Sequence, residues 1–258
     1  MRNICMNVSY DGTAYHGFQT QPSNNTIQDI LERAVRSLTG ETIKITSSGR
    51  TDAGVHARCQ VINFLTSSPI PLVRWCLALN TLLPADIVVS GARQVDEGFH
   101  SRRHALRKTY RYTIRCGKHP DLFRRRQEFY HPTPLDTEAM KSSLLCLIGE
   151  HDFTSFCSLR STKISNVRTI YTASLACEPM DPVLHSYAIH ICVTGNGFLY
   201  NMVRIIVGTL IQIGEGKRPS TSMLDILDAR ERAKAGPTAM PQGLTLWEVL
   251  YNNDQFTS

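Results

Sequence analysis

The chain has no long apolar run. No hydrophobic stretch approaches the ~20 residues that a membrane-spanning helix needs, so no helical span is expected among its 258 residues. The start, "MRNICMNVSYDG", alternates polar and apolar residues where a secretory signal would carry an apolar core. The expected location is therefore the cytoplasm. Metal-binding spacing is missing as well. The eight cysteines, Cys5, Cys59, Cys76, Cys116, Cys146, Cys157, Cys177 and Cys192, form no C-x-x-C pair and are scattered. That spacing argues against zinc and fits reduced thiols used as small hydrophobes. There is no G-x-x-x-x-G-K-[ST] phosphate loop and no G-x-G-x-x-G after a strand, so nucleotide hydrolysis and hydride transfer lack their motifs. No G-x-S-x-G marks a nucleophilic serine.

What is present is uneven charge. Residues 101 to 126, "SRRHALRKTYRYTIRCGKHPDLFRRR", hold ten Lys or Arg and one Asp, which makes +9. The whole chain is +6, so the rest is −3. Such density points to a polyanion, most simply nucleic acid; the alternative is a solvated face, which usually mixes signs. In the strand-like "RKTYRYTIR", Arg107, Thr109, Arg111, Thr113 and Arg115 share one face, suited to phosphates, and Lys108, Tyr110, Tyr112 and Ile114 the other. By pattern alone the two tyrosines are core or line a cleft.

Periodicity gives the architecture. "NICMNVSY" alternates as a strand, and Ile27 to Leu38 repeat at helical spacing between Thr26, an N-cap, and Gly40, a stop. "TIKIT" and "QVINFLT" read as strands, "LVRWCLALNTLL" as a helix ended by Pro84, and "DIVVSGARQV" as a strand. The order then recurs. "RKTYRYTIR" is a strand, "DTEAMKSSLLCLIG" a helix, and "RTIYTASLAC" and "SYAIHICVT" are strands. "GFLYNMVRIIVGTLIQIG" is a long apolar helix, "SMLDILDARERAKAG" an extra helix, and "LTLWEVLY" a closing strand. Strand-helix-strand-strand-helix-strand twice over predicts an α+β fold of two ferredoxin-like (split βαβ) halves, residues 1–105 and 106–258, with antiparallel sheets, helices on one face and an active-site cleft between the halves. A loop at 11–25 carries rings and amides (Tyr10, Tyr15, His16, Phe18, Gln19, Gln21) suited to stacking on bases, or is an ordinary surface loop.

The densest chemistry sits in "SSGRTDAGVHA", residues 47 to 57, where Arg50, Asp52 and His56 stand around Gly49 and Gly54. An Asp in such a turn commonly bonds its own backbone. Arg204, in the apolar run "NMVRIIVG", needs a carboxylate or a route to water. Asp52 is the candidate partner, another acid or solvent the alternative.

Taken with "YDGTAYHGFQTQ", "LPADI", "FHSRRHALRKTYRY", "GEHDFTSF", "GNGFLYNMVRIIVGTL" and "GPTAMPQGLTL", in that order, this motif resembles the TruA family of tRNA pseudouridine synthases over nearly the whole chain. Ser101, where the family commonly has Ala, and Met240, in a stretch more often Pro and Ala, are departures that touch none of the chemistry. The resemblance implies Asp52 as the essential carboxylate, Arg204 as its salt-bridge partner, Arg50 as an arginine that helps move the target base out of its stack, and Tyr110 as the ring that packs on that base. It also implies a homodimer that acts on uridines 38 to 40 of the tRNA anticodon arm with no cofactor and no metal. Two rival readings are weaker. Paired RNA-recognition modules would carry an aromatic RNP1 strand that is missing here. A nucleoside or glycoside hydrolase would want a second carboxylate opposite the first.

Overall fold

The structure, a computed structural model, describes residues 1–158, 165–181 and 186–252. The fold is α+β and divides into two compact units. The first is Met1–Lys108 together with the chain from Thr245 onward, and the second is Thr109–Leu244.

In the first unit, β1 (Arg2–Tyr10) lies between β3 (His56–Thr66) and β4 (Ile87–Val95), antiparallel to both. The short β2 (Thr46–Ser47) pairs with β3, so only the end of the expected "TIKIT" strand is extended. Helix α1 (Ile27–Thr39) begins where expected. Thr26 and Asp29 form a reciprocal capping box, and Gly40 closes the helix at φ +76°. Helix α2 (Leu72–Asn80) stops short of Pro84. Ile4 and Met6 of β1 face Phe64 and Ile62 of β3 across the ladder. With Leu31 and Val35 of α1 and Trp75 and Leu79 of α2, they make a core from which water is excluded. The Trp75 ring meets Phe64 edge-on at 5.6 Å.

In the second unit the sheet order is β5 (Arg107–Cys116), β9 (Ser186–Gly195), β8 (Val167–Asp181), β7 (Gly149–Asp152). Short β6 (Phe129–His131) runs parallel to β5. β6 and β7 are too short to have shown a period in the sequence. Helices α3 (Thr137–Leu145), α4 (Met202–Gly214) and α5 (Ser222–Ala229) complete this unit. Its core holds Tyr112 and Ile114 of β5, Ile189, Ile191 and Val193 of β9, Met140 and Leu144 of α3, and Ile205, Ile206 and Leu210 of α4. Helix α4 starts five residues later than its apolar run, because Asn201 sits at φ 60° and cannot join the helix. Helix α5 ends early for the same reason, at Arg230 with φ 50°.

The last strand differs from the expectation that grouped it with the second half. β10 (Leu244–Leu250) runs parallel to β3, with Thr245 opposite His56 and Leu246 opposite Ala57. It therefore belongs to the sheet of the first unit, a pairing that period-two alternation cannot reveal.

Candidate active site

The "SSGRTDAGVHA" segment connects β2 to β3, and its backbone is tied down along its length. Ser48 is buried, donates its N–H to Val61 O at 2.8 Å, and donates its hydroxyl to Gln60 Oε1 at 2.5 Å. The same Gln60 amide donates to the Gly49 carbonyl at 2.8 Å. Thr51 is buried, its hydroxyl 2.8 Å from the Tyr10 phenol and its carbonyl accepting from Phe18 N–H at 3.1 Å. The Val55 N–H closes the turn on the Asp52 carbonyl at 3.1 Å, with Gly54 at φ +75°. Gly54 N–H in turn donates to Tyr15 O at 3.3 Å. Asp52 is half-buried at the crest of this turn, and Arg50 is exposed beside it.

The 11–25 loop supplies two of these bonds, through Phe18 and Tyr15, and its packing corrects one reading of the aromatic residues there and at Tyr10. Tyr10, Tyr15 and Phe18 are 4%, 6% and 1% exposed, so they pack beneath the motif and offer no ring to a base. His16, Gln19 and Gln21 are its exposed members. The two segments touch so closely that a Cβ on Gly12 would stand 2.0 Å from Val55 O, and one on Gly17, which is at φ +86°, 2.7 Å from Thr51 O. Gly49 is different. Its φ is ordinary, and an added Cβ would meet only the Lys108 side chain at 3.6 Å. Burial pushes the Tyr10 phenol up to about 12, against smaller opposing effects of its Thr51 and Gln60 hydrogen bonds, so it holds Thr51 as a neutral hydroxyl. His56 Nδ1 accepts from Gly12 N–H at 3.0 Å. A nitrogen so used cannot also hold a proton for the Asp11 carboxylate 3.2 Å away, so the neutral Nε2–H tautomer fits.

Two of the expected residues lie in the second unit. Tyr110 on β5 is 8% exposed and meets Phe198 edge-on, centroids 5.1 Å apart at 86°. Arg204 is in the first turn of α4. Its Nε donates to Ala239 O at 2.8 Å and its Nη1 to Asn201 Oδ1 at 2.9 Å, so the guanidinium is oriented by two fixed acceptors. Asn201 is held in its turn by donating to Ser158 Oγ at 2.8 Å. Tyr112 is fully buried and donates to Met240 O at 2.8 Å. This bond uses the backbone, and the half-exposed Met240 side chain takes no part in it. The other departure, Ser101, adds a bond that alanine lacks. Its hydroxyl donates to Thr46 O at 2.9 Å, in the strand that leads into the motif.

The basic segment does not present one cationic face. Arg115 is 5% exposed and its Nε is paired with Glu128, and Arg111 Nε donates to His190 Nδ1 at 3.3 Å. Arg102, Arg103, Arg107 and the run Arg124–Arg126 are exposed. Among the described residues no group of three or more His, Cys, Asp or Glu is arranged to hold a metal ion. No described helix is long and apolar enough to cross a membrane.

The sequence that builds this turn matches a known family. The family model described as tRNA pseudouridine synthase matches residues 6–102 and 145–252, which include the motif and the α4 arginine. The chain belongs to the tRNA pseudouridine synthase family. As a member it is an isomerase, the class of enzyme that converts uridine to pseudouridine. It is 46% identical over 253 residues to the tRNA pseudouridine synthase A of Geobacillus sp. (strain WCH70), covering 98% of this chain and 99% of that one. It is 45% identical over 255 residues to that of Bacillus subtilis (strain 168), covering 98% and 100%. Against that of Caldicellulosiruptor bescii it is 43% identical over 251 residues, covering 97% and 100%. Sequence reasoning missed the parts played by Gln60, Tyr10 and Gly12, which brace the tRNA pseudouridine synthase motif, and by Asn201, which orients Arg204. Tyr10 and Gly12 had a signal in "YDGT" and Asn201 in "GNGFLYNMVRIIVGTL", whereas Gln60 had none.

Proposed function

We propose that the protein isomerises uridine to pseudouridine at positions 38, 39 and 40 of the tRNA anticodon arm, with Asp52 as the essential carboxylate and no cofactor. The observation that carries this reading is the contrast at Asp52, whose turn is bonded to the 11–25 loop through Thr51 and Gly54 while its side chain stays half-open. Pre-set carboxylates of this kind suit a reaction in which positive charge develops at a sugar carbon. The N1–C1′ bond breaks, the uracil turns, C5 joins C1′, the C5 hydrogen leaves as a proton and N1 gains one. Atoms and electrons balance with no redox partner, so the reaction as proposed calls for no cofactor.

The other residues take the following parts. Arg204, already aimed by Ala239 and Asn201, serves the Asp52 carboxylate and keeps it ionised. Tyr110 packs on the target base, and its Phe198 neighbour fixes the ring. Arg50, exposed on the motif turn, meets the RNA as the base leaves its stack, a step that costs a few kcal/mol. The sheet order of the first unit, β4-β1-β3 with β2 beyond β3, supports reading it as a ferredoxin-like half, with Thr109–Leu244 as the second. We place the activity in the cytoplasm, where its substrate is made and used, and we propose a homodimer. On α2, Val73 and Leu77, one turn apart, are 82% and 73% exposed with Leu82 at 47% just beyond, an apolar surface of the kind that marks interfaces.

The test is tritium release from transcribed tRNA carrying 5-tritiated uridine, wild type against Asp52→Ala. Release by the wild type alone, with the variant folded and binding tRNA, supports the reading. Equal release by both removes Asp52 from the chemistry. No release by either refutes the activity.

A further inference from the structure

The loop from Gly117 to Glu128, between β5 and β6, carries the most exposed large hydrophobic side chain among the described residues. Phe123 is 91% exposed and its neighbour Leu122 64%. The loop is well held. Phe123 N–H donates to Asp121 Oδ1 at 2.9 Å, Gln127 and Glu128 N–H both donate to Arg124 O, and Tyr130 donates its hydroxyl to Lys118 O at 3.1 Å. Beneath it the buried Arg115 pairs with Glu128, which also accepts from Arg124 Nη1 at 3.2 Å. The ion pairs therefore use up Arg115, Arg124 and Glu128 in fixing the loop's shape. Lys118, Arg125 and Arg126 stay exposed on the same loop, and no carboxylate pairs with them among the described residues. A bare ring in water brings no burial energy to the fold. An ordered loop that exposes such a ring together with three cations suits a ligand with flat apolar faces and negative charge.

We propose that Phe123, with the exposed Lys118, Arg125 and Arg126 of the same loop, is an accessory docking point for tRNA. The ring stacks on an unpaired base and the cations take the flanking phosphates. This rests on tRNA being the substrate. Stacking of one base on an aromatic side chain corresponds to about 5- to 150-fold in affinity. Each phosphate contact adds about 0.7 to 0.9 to the slope of log K against log salt.

The experiment measures tRNA binding by anisotropy at several salt concentrations, and kcat and KM by tritium release, for wild type, Phe123→Ala, Phe123→Trp and Arg125→Gln/Arg126→Gln. The expected result for Phe123→Ala is a rise of at least 5-fold in Kd and KM with kcat and Tm unchanged. Phe123→Trp is expected to restore binding and to lose fluorescence when tRNA is added. The double arginine variant is expected to flatten the salt slope by about 1.4 to 1.8. Wild-type Kd and KM in Phe123→Ala, with the wild-type enzyme active, overturn the proposal and leave the isomerase reading standing. A changed molecular mass for Phe123→Ala in light scattering overturns it too, since the loop then serves another copy of the chain. A wild-type protein that releases no tritium refutes the parent reading and this one with it.

Discussion

Replacing Gly17 with alanine tests whether the 11–25 loop holds the Asp52 turn in place. Two costs follow from the structure. Gly17 is at φ +86°, where an L-residue is disfavoured by roughly 1–2 kcal/mol. The new Cβ would also stand 2.7 Å from Thr51 O and 3.2 Å from Ala53 N, backbone atoms of the turn itself. Overpacking of this kind costs roughly 1–3 kcal/mol. The sum is about 2–5 kcal/mol, which for a chain of this size lowers Tm by roughly 4–20 °C. Gly40→Ala separates the terms. Gly40 is at φ +76° but has nothing within 4 Å of its added Cβ, so it carries the conformational cost alone. The 2.7 Å contact in Gly17→Ala must open by some tenths of an ångström, which displaces the turn backbone against which the new Cβ stands. Small displacements of a reacting group are costly, up to about 100-fold for 1 Å, so kcat is expected to fall roughly 10-fold or more in Gly17→Ala and to stay near wild type in Gly40→Ala. Thermal unfolding and single-turnover tritium release measure both. Equal Tm and equal kcat for the two variants would show that the packing of the loop on the turn contributes nothing, and the argument for a pre-set carboxylate would fail with it.

Three further outcomes are expected. Ser101→Ala removes the hydroxyl bonded to Thr46 O and should cost about 1 kcal/mol in urea unfolding with activity retained; a loss of activity without loss of stability would contradict this. Burial raises the thiols of Cys5 and Cys116 from 9.0 to about 11, so the fold holds the neutral form. Their contribution is whole below pH 9 and is lost as pH climbs toward about 11; the urea midpoint should fall over that window, less steeply in Cys5→Ala/Cys116→Ala, and an unchanged slope would refute the assignment. Val73→Asp with Leu77→Asp puts charges on the apolar face of α2. Light scattering should then report a monomer where the wild type is a dimer, and a wild type that is already monomeric refutes the proposed homodimer.

Much of the architecture is written in local chemistry. The Thr26 and Gly40 boundaries of α1 are bonds between neighbours, so they could be read before any coordinates. The same holds for β1, whose alternation follows from side chains that point by turns to the two faces of the sheet. The parallel pairing of β10 with β3 could not be read, because it joins residues nearly two hundred apart and leaves no mark on the alternation of either strand. At the site, the motif named Asp52, but the residues that hold its turn come from elsewhere in the sequence. Gln60 looked like an ordinary polar residue in a strand, yet it is fully buried and bonds both Ser48 and Gly49. The density of the +9 segment points to a polyanion, with Arg107, Arg111 and Arg115 expected on one phosphate-facing strand face, and the structure divides that charge. Arg115 is internal and spent on Glu128, whereas the exposed charge gathers at Arg102 and Arg103 and again at Arg124–Arg126. Composition counts charges, but burial decides which of them a ligand can meet.

The return of β10 to the first unit also bears on how the chain is made. β3, which emerges directly after the motif, lacks its β10 neighbour until residues 244–250 appear. At about 5–20 residues per second, the roughly 150 residues between β4 and β10 take several seconds to about half a minute to synthesise. During that interval one edge of the motif-bearing strand is open, and open edges are where chains pair wrongly. Thr109–Leu244 is continuous in sequence and can finish folding first. The unit begun first is thus the one completed last.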